Sequence, residues 1–327
     1  MGAVARSVDP PASTLPNVGA VIVQYGNSDV SSLLSTLLRD ARIGAVVVVR
    51  NPRTGIVTDE SLLVPTVVLP ENLGYGAAAN EGRSHRLIAE LPLHLILTHD
   101  VELAEGAVDR LVRTLEAHQR IAIAGPLLGD GVTQRRIAGG TRTRWGRVRH
   151  QYEDAEDAGR AAIIDVTWLD GAAMLIRSDS VPLFDTRYFL YVEDVALCLS
   201  VQPRFRVVVV RSARATQRSG MTARPGAHAY LLTRNHILLA RSRQEPGARS
   251  SATLRAALSI SAHALRWMTS LRPHHLRQLA GVAWGFVDGI RGVTGAPPLR
   301  LQRWGDIATS KGADTLLPGG GESKTVV

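Results

Sequence analysis

The chain has 327 residues, 45% hydrophobic and 20% charged, enough for one large or two modest globular domains with a proper core. Its single cysteine, Cys198, excludes an internal disulfide and argues against a zinc cluster. The formal charge is +9 and nearly all of the basic residues are arginine, Lys311 and Lys324 being the only lysines; a GC-rich genome and anionic partners (phosphates, a membrane surface) both account for this.

Residues 1–16 read as a loose leader without the long apolar stretch of a secretory signal, so a cytoplasmic protein is expected. Gly19 to Tyr25 (GAVIVQY) is a short apolar run, a buried strand. Ser31 to Arg42 has helical spacing, with Leu33, Leu34, Leu37 and Leu38 on one side. Ala45 to Val49 is a second buried strand, ended by Asn51-Pro52, and Val64 to Leu69 a third. Gly76 to Ala89 reads as a helix, Leu93 to Leu97 as a fourth strand, Val108 to His118 as a helix and Ile121 to Ala124 as a strand. Strands alternating with helices predict an α/β fold with a mostly parallel central sheet flanked by helices.

Residues 129–162 are polar, rich in Arg and Gly and poorly periodic, and read as a flexible excursion near a site. Strand character returns from Ile163 to Ile176 around the Asp170-Gly171 turn, and again at Val207 to Val210. Residues 251–271 and 275–292 are helical stretches that pair apolar residues with Arg255, Arg266, Arg277 and Arg291. They read either as a helical flap on the preceding domain or as a surface that rests on anionic lipid. The tail from Arg300 is Gly-rich and expected to be disordered. The expected organisation is a leader (1–16), a main α/β domain (17–245), a C-terminal helical extension (246–299) and a tail (300–327). No apolar run reaches the roughly 18 residues that span a bilayer. Aromatic residues are 5% and are not interleaved with basic ones, so nucleic-acid binding is not expected.

Ligands of open α/β sheets bind at the carboxyl ends of the strands, and the polar residues concentrate there. Tyr25-Gly26-Asn27, Arg50-Asn51, Asn72-Leu73-Gly74-Tyr75-Gly76 and Thr98-His99-Asp100 each follow a strand, and Asn80 lies in the helix that Gly76 opens. The glycines let backbone approach a ligand at a helix N-terminus that favours phosphate. There is no Walker GK[ST] and no dinucleotide GxGxxG after the first strand. In FDTRYFLYVEDVAL (Phe184–Leu197) two carboxylates, Glu193 and Asp194, follow an aromatic run, which places acid groups against apolar walls where one can accept a proton.

The ordered segments VIVQYGN, VVVVRN, ENLGYGAAANEG, LILTHDVEL, WLDGAAMLIR, FDTRYFLYVEDVALCL and RNHILL resemble inverting family 2 glycosyltransferases of the GT-A fold (Rossmann-like), in their rhamnosyltransferase-like branch, over about residues 17–240. The resemblance implies transfer of a sugar from a nucleoside-diphosphate sugar to an acceptor hydroxyl. It puts Tyr25, Asn51, Asn72, Gly74 and Asn80 near the nucleotide, and Asp100 at the last position of an element that holds a divalent cation, Mg or Mn, on the diphosphate. Asp170 and Gly171 would line the acceptor and sugar side, Asp194 would be the general base, and Glu193 would orient it or contact the acceptor. The acceptor would be a glycan, a lipid-linked glycan or a small molecule, with peripheral contact at the inner face of the membrane and a homodimer both open.

Three positions depart from the family pattern. Arg50 stands where an Asp contacts the base, Thr98 where the earlier metal Asp stands, and Gln217 where a late metal-binding His falls. Asp100 and Gln217 alone make a poor hard-cation site, and Arg218 beside Gln217 is expected to carry part of the charge on phosphate. The departures leave a second reading open, a catalytically impaired relative that binds a nucleotide, a glycan or a partner. Nucleotidyl transfer on a similar sheet is a third, but the basic GxG-rich loop expected for it after the first strand is absent.

Overall fold

Stiff, branched residues dominate the central segments and favour extended chain buried on both faces. The computed structural model describes residues 16–52, 62–129, 136–153, 161–218, 225–244, 247–298 and 301. The expected leader and tail lie outside the described residues, residues 16 and 301 excepted. In chain order the elements are β1 (Val18–Tyr25), α1 (Ser31–Leu38), β2 (Ile43–Asn51), β3 (Thr66–Val68), α2 (Tyr75–Ser84), β4 (Leu93–Thr98), β5 (Val101–Leu103), α3 (Ala107–Ala117), β6 (Ile121–Gly129), β7 (Arg136–Arg142), β8 (Val148–Glu153), β9 (Ile163–Val166), β10 (Ala173–Arg177), α4 (Glu193–Val201), β11 (Arg206–Gln217), α5 (Pro225–Ser242), α6 (Ala248–Ser270) and α7 (Pro273–Arg291).

The central strand order is β3-β2-β1-β4-β10-β6-β11-β5. β3, β2, β1 and β4 run parallel, β10 runs antiparallel between β4 and β6, and β11 runs parallel to β6. This is the α/β architecture expected from the alternating pattern. Successive residues of each strand go to opposite faces. Val21, Val23, Val47 and Val49 pack in one core with Ala78 and Ala79 of α2 and Val195 and Leu197 of α4. Ala20, Ile22, Val46 and Val48 pack in another with Leu33, Leu34 and Leu37 of α1 and Leu111, Val112 and Leu115 of α3.

Residues 136–153 correct the expectation of a flexible excursion. β7 and β8 form a hairpin added to the edge of β6, and the pairing partner supplies what their own polar sequence does not. The helix expected from Gly76 to Ala89 ends at Ser84, because His85 is extended. The strand expected at Val207 to Val210 runs on to Gln217 through a bulge before Arg214. α5 has no counterpart in the periodicity of the sequence. It packs along α7, where a Cβ added to Gly281 or Gly285 would collide with the main chain of Gly226 and Tyr230. Gly295, just beyond α7, donates its N–H to Arg187 O at 3.0 Å, tying the C-terminal helices to the aromatic turn before α4.

Candidate active site

The carboxyl ends of β1, β2 and β4 lie side by side in the sheet. Tyr25 and Asn51 are register partners at the tips of β1 and β2. The buried Asn51 amide donates to Gly74 O (3.3 Å) and accepts from Leu73 N–H (3.0 Å), and Asn72 Oδ1 accepts from Gly74 N–H (2.9 Å). Gly74 has φ +86°, and any Cβ there would run into the Phe189 carbonyl, so only glycine lets this loop close on the aromatic turn. Asn80 spends both ends of its amide on Phe184, accepting from its N–H (2.8 Å) and donating to its carbonyl (2.9 Å). The three asparagines therefore shape the wall through the main chain. Arg50 is buried and donates from Nε to Gln24 Oε1 at 3.1 Å, beneath the tips of the strands.

Acid groups gather near Tyr75. Asp194 lies in the first turn of α4, half-buried, and its carboxylate accepts from Gly171 N–H (3.1 Å) and Val195 N–H (2.7 Å). Burial, and then the charge of Asp170, push its carboxyl up to about 7. Asp170 accepts from Ala172 N–H at 3.0 Å, and burial raises it too, with Asp100 adding to the rise and His150 opposing it. Glu193 is 4% exposed, and its Oε2 has no hydrogen-bond partner. Burial first and Asp194 second hold it well above the usual carboxylate range. Tyr75 stands among these groups and donates from its hydroxyl to Gly171 O. Burial raises its pKa, and Glu193, Asp194, Asp170 and Asp100 all add to the rise, which brings the four acids into one neighbourhood.

The turn that delivers Asp194 is strained. Tyr191 and Val192 are consecutive non-glycine residues at φ +68° and +73°. α5 holds them there: Asn235 Nδ2 donates to Leu190 O (2.9 Å) and Tyr191 O (2.7 Å), and the His228 ring meets Tyr191 edge-on at 4.9 Å. Cys198 lies on the buried face of α4, accepting from Leu169 N–H at 3.4 Å, and burial raises its thiol pKa.

The residues assigned to a cation do come together. Gln217 Nε2 donates to Asp100 Oδ2 at 3.2 Å and Thr98 Oγ1 donates to Asp100 Oδ1 at 2.6 Å. One carboxylate already accepting from an amide and a hydroxyl does not fit a hard divalent cation, which takes several oxygen ligands. Among the described residues no group of three His, Cys, Asp or Glu is arranged to hold a metal. Burial keeps His99 below its ordinary pKa and so neutral, against the opposing charge of Asp100. Arg218 is exposed, ion-paired with Glu102 at the rim, and its N–H donates to Asp100 O at 3.0 Å. Tyr75, His150 and Asn235 had no role assigned from the sequence. Tyr75 and Asn235 sit inside recognisable motifs, but their partners are main-chain groups far away in the chain.

The fold with this site is the GT-A fold of glycosyltransferases. Solved structures that share it are GalNAc-T7 with UDP, GalNAc and Mn2+ (TM-score 0.53, 13% identity, 68% of this chain and 47% of that one) and the mannosyltransferase PcManGT from Pyrobaculum calidifontis with GDP-Man and Mn2+ (TM-score 0.51, 13% identity, 87% and 90%). This chain thus spans about half the length of GalNAc-T7. In sequence it is similar to N-acetylglucosaminyl-diphospho-decaprenol L-rhamnosyltransferase of Mycobacterium tuberculosis, 28% identical over 252 residues, 64% of this chain and 77% of the relative. No family model matches the chain. The rhamnosyltransferase-like character of the motifs and the GT-A architecture agree with these findings.

Proposed function

We propose that this chain is an inverting glycosyltransferase that moves a sugar from a nucleoside-diphosphate sugar to an acceptor hydroxyl, with Asp194 as general base. The observation that carries the reading is the Asp194 carboxyl itself: half-buried, fixed by two main-chain N–H groups, and raised to about 7, near the pH at which a base must work. Asp194 takes the proton of the acceptor hydroxyl as that oxygen bonds to the anomeric carbon. The bond from that carbon to the diphosphate breaks on the opposite face, and the nucleoside diphosphate leaves with the electron pair. Positioning does much of the work. The loop that Asn51, Asn72 and Gly74 stiffen serves the donor, and Asp170 and Gly171 serve the sugar and the acceptor. Glu193 supports the start of α4 from inside. Arg218 at the rim offers charge to the diphosphate, and no step is assigned to a protein-held cation.

Similarity to the mycobacterial enzyme makes a nucleotide-activated L-rhamnose the first donor to try, and a lipid-linked glycan the first acceptor. A thermal-shift screen of sugar nucleotides, with and without Mn2+, finds the donor, since a ligand of the native state raises the melting temperature. NMR of the product then reads the anomeric configuration. Inversion is expected, and retention would overturn the mechanism. The engagement of Asp100 by Thr98 and Gln217 favours one second reading, binding without transfer. Hydrolysis or transfer with any sugar nucleotide excludes it.

A further inference from the structure

An open cavity of about 230 Å³ lies between the β7–β8 hairpin and helices α5 and α6, far larger than the roughly 10–15 Å³ that admits one water. Val148 and Leu232 wall it, and Arg147, Arg255, His236 and Ser259 bring polar groups to it. Positive charge collects there. Arg255 is half-buried and donates to neutral Ser251 Oγ at 2.5 Å. Burial, and then the charges of Arg147 and Arg142, depress its pKa. His236 Nδ1 donates to Leu232 O at 2.7 Å, and burial keeps the ring neutral with Arg255 and Arg142 adding to that effect. Among the described residues no carboxylate forms an ion pair with Arg147 or Arg255. Convergent guanidinium groups in a concave, partly desolvated site attract a phosphate.

The same elements reach the acid cluster. Val148 of the cavity and His150 lie on one face of β8, two residues or roughly 7 Å apart. The His150 ring sits 4.7 Å from Trp168, two residues before Asp170. Leu232 and His236 flank Asn235 on α5, whose amide holds the turn before Glu193 and Asp194. In the sheet the hairpin hangs from β6, while β1, β2 and β4 lie beyond β10. The acid cluster and the cavity are therefore joined through β8 and α5.

We infer that this cavity binds a phosphate or diphosphate group carried by the sugar acceptor, whose hydroxyl then reaches Asp194. That the ligand is an acceptor rests on the transferase reading above; the anion site does not. Calorimetric titration of the full chain with inorganic pyrophosphate and with a short-chain prenyl diphosphate tests it. Both probes are expected to bind. Tighter binding of the prenyl form identifies a lipid headgroup as the source of the phosphate, and equal affinities identify a soluble phosphorylated acceptor. Arg255→Gln and Arg147→Gln each weaken binding about tenfold or more by removing a charge-assisted bond. Ser259→Asp keeps both arginines, sets a negative charge against the ligand, and weakens binding as much. Affinity for nucleoside diphosphates is unchanged in all three variants. Failure of both probes to bind, or affinities indifferent to all three substitutions, would overturn the inference. A chain that binds pyrophosphate in this way yet transfers no sugar sustains the anion site and overturns only the transferase reading.

Discussion

Asp194, Asp170 and Glu193 share one electrostatic problem, since each is an acid partly or wholly removed from water with another acid nearby. The folded chain therefore binds their protons more tightly than the unfolded chain does. The stability they contribute is complete below the ordinary carboxylate range and is lost as the pH rises, through about 7 for Asp194. Buried His94 and half-buried His99 and His236 are depressed and pull the other way, so total stability is a poor readout. The comparison of Asp194→Asn with the parent isolates one group. By calorimetry the variant should gain melting temperature relative to the parent between about pH 5 and about pH 8. A variant-minus-parent difference that stays constant or falls as the pH rises contradicts the raised pKa. For the same reason turnover of the parent should climb through about pH 7 as the base ionises. Glu193→Gln replaces a buried neutral acid with a neutral isostere and should leave turnover within a few-fold. A loss as deep as that of Asp194→Asn would make Glu193 a catalytic group.

α5 is the element on which the site depends and the one its own sequence reveals least. Asn235 pins two carbonyls of the turn that carries two left-handed residues. Asn235→Ala leaves them without that donor and should cost about 1–3 kcal/mol of stability, seen in urea unfolding. It should also lower turnover while donor affinity persists; unchanged turnover would remove α5 from the positioning of Asp194. Gly285 carries α7 against Tyr230 of α5, so Gly285→Val should destabilise the chain by about 1–3 kcal/mol through overpacking. The strands β1, β2 and β4 were legible because valine, isoleucine and leucine runs bounded by Asn, Pro and Gly have few other uses. The far half of β11 was hidden by small Ala213 and Ala215 on its buried side, which carry little hydrophobic signal. The β7–β8 hairpin was hidden because its stability comes from β6. Of the site, the acids and the glycine loop could be read from the sequence. The asparagines could be read as site residues, but not their partners, because those are main-chain groups brought close only by folding.

At the scale of the whole molecule two surfaces matter. The strand tips present Asp100 already satisfied by Thr98 and Gln217, so activity in EDTA should be within a few-fold of that in Mg2+ or Mn2+. Complete loss on chelation would contradict this account of the charge. On α6, Leu254, Leu258, Leu265 and Met268 share one stripe, each 59–61% exposed. No helix among the described residues is long and apolar enough to cross a membrane. A stripe of this kind suits the interface of an anionic bilayer. Co-sedimentation with anionic vesicles at low salt, abolished by Leu258→Glu, is expected; equal recovery with neutral vesicles would contradict it. The transferase reading turns on one side chain. Single-turnover transfer by Asp194→Asn, with donor affinity measured in parallel, tests it most directly. The account predicts a fall of about 10²–10⁴-fold in the transfer rate with donor binding retained. Transfer within a few-fold of the parent rate would contradict it.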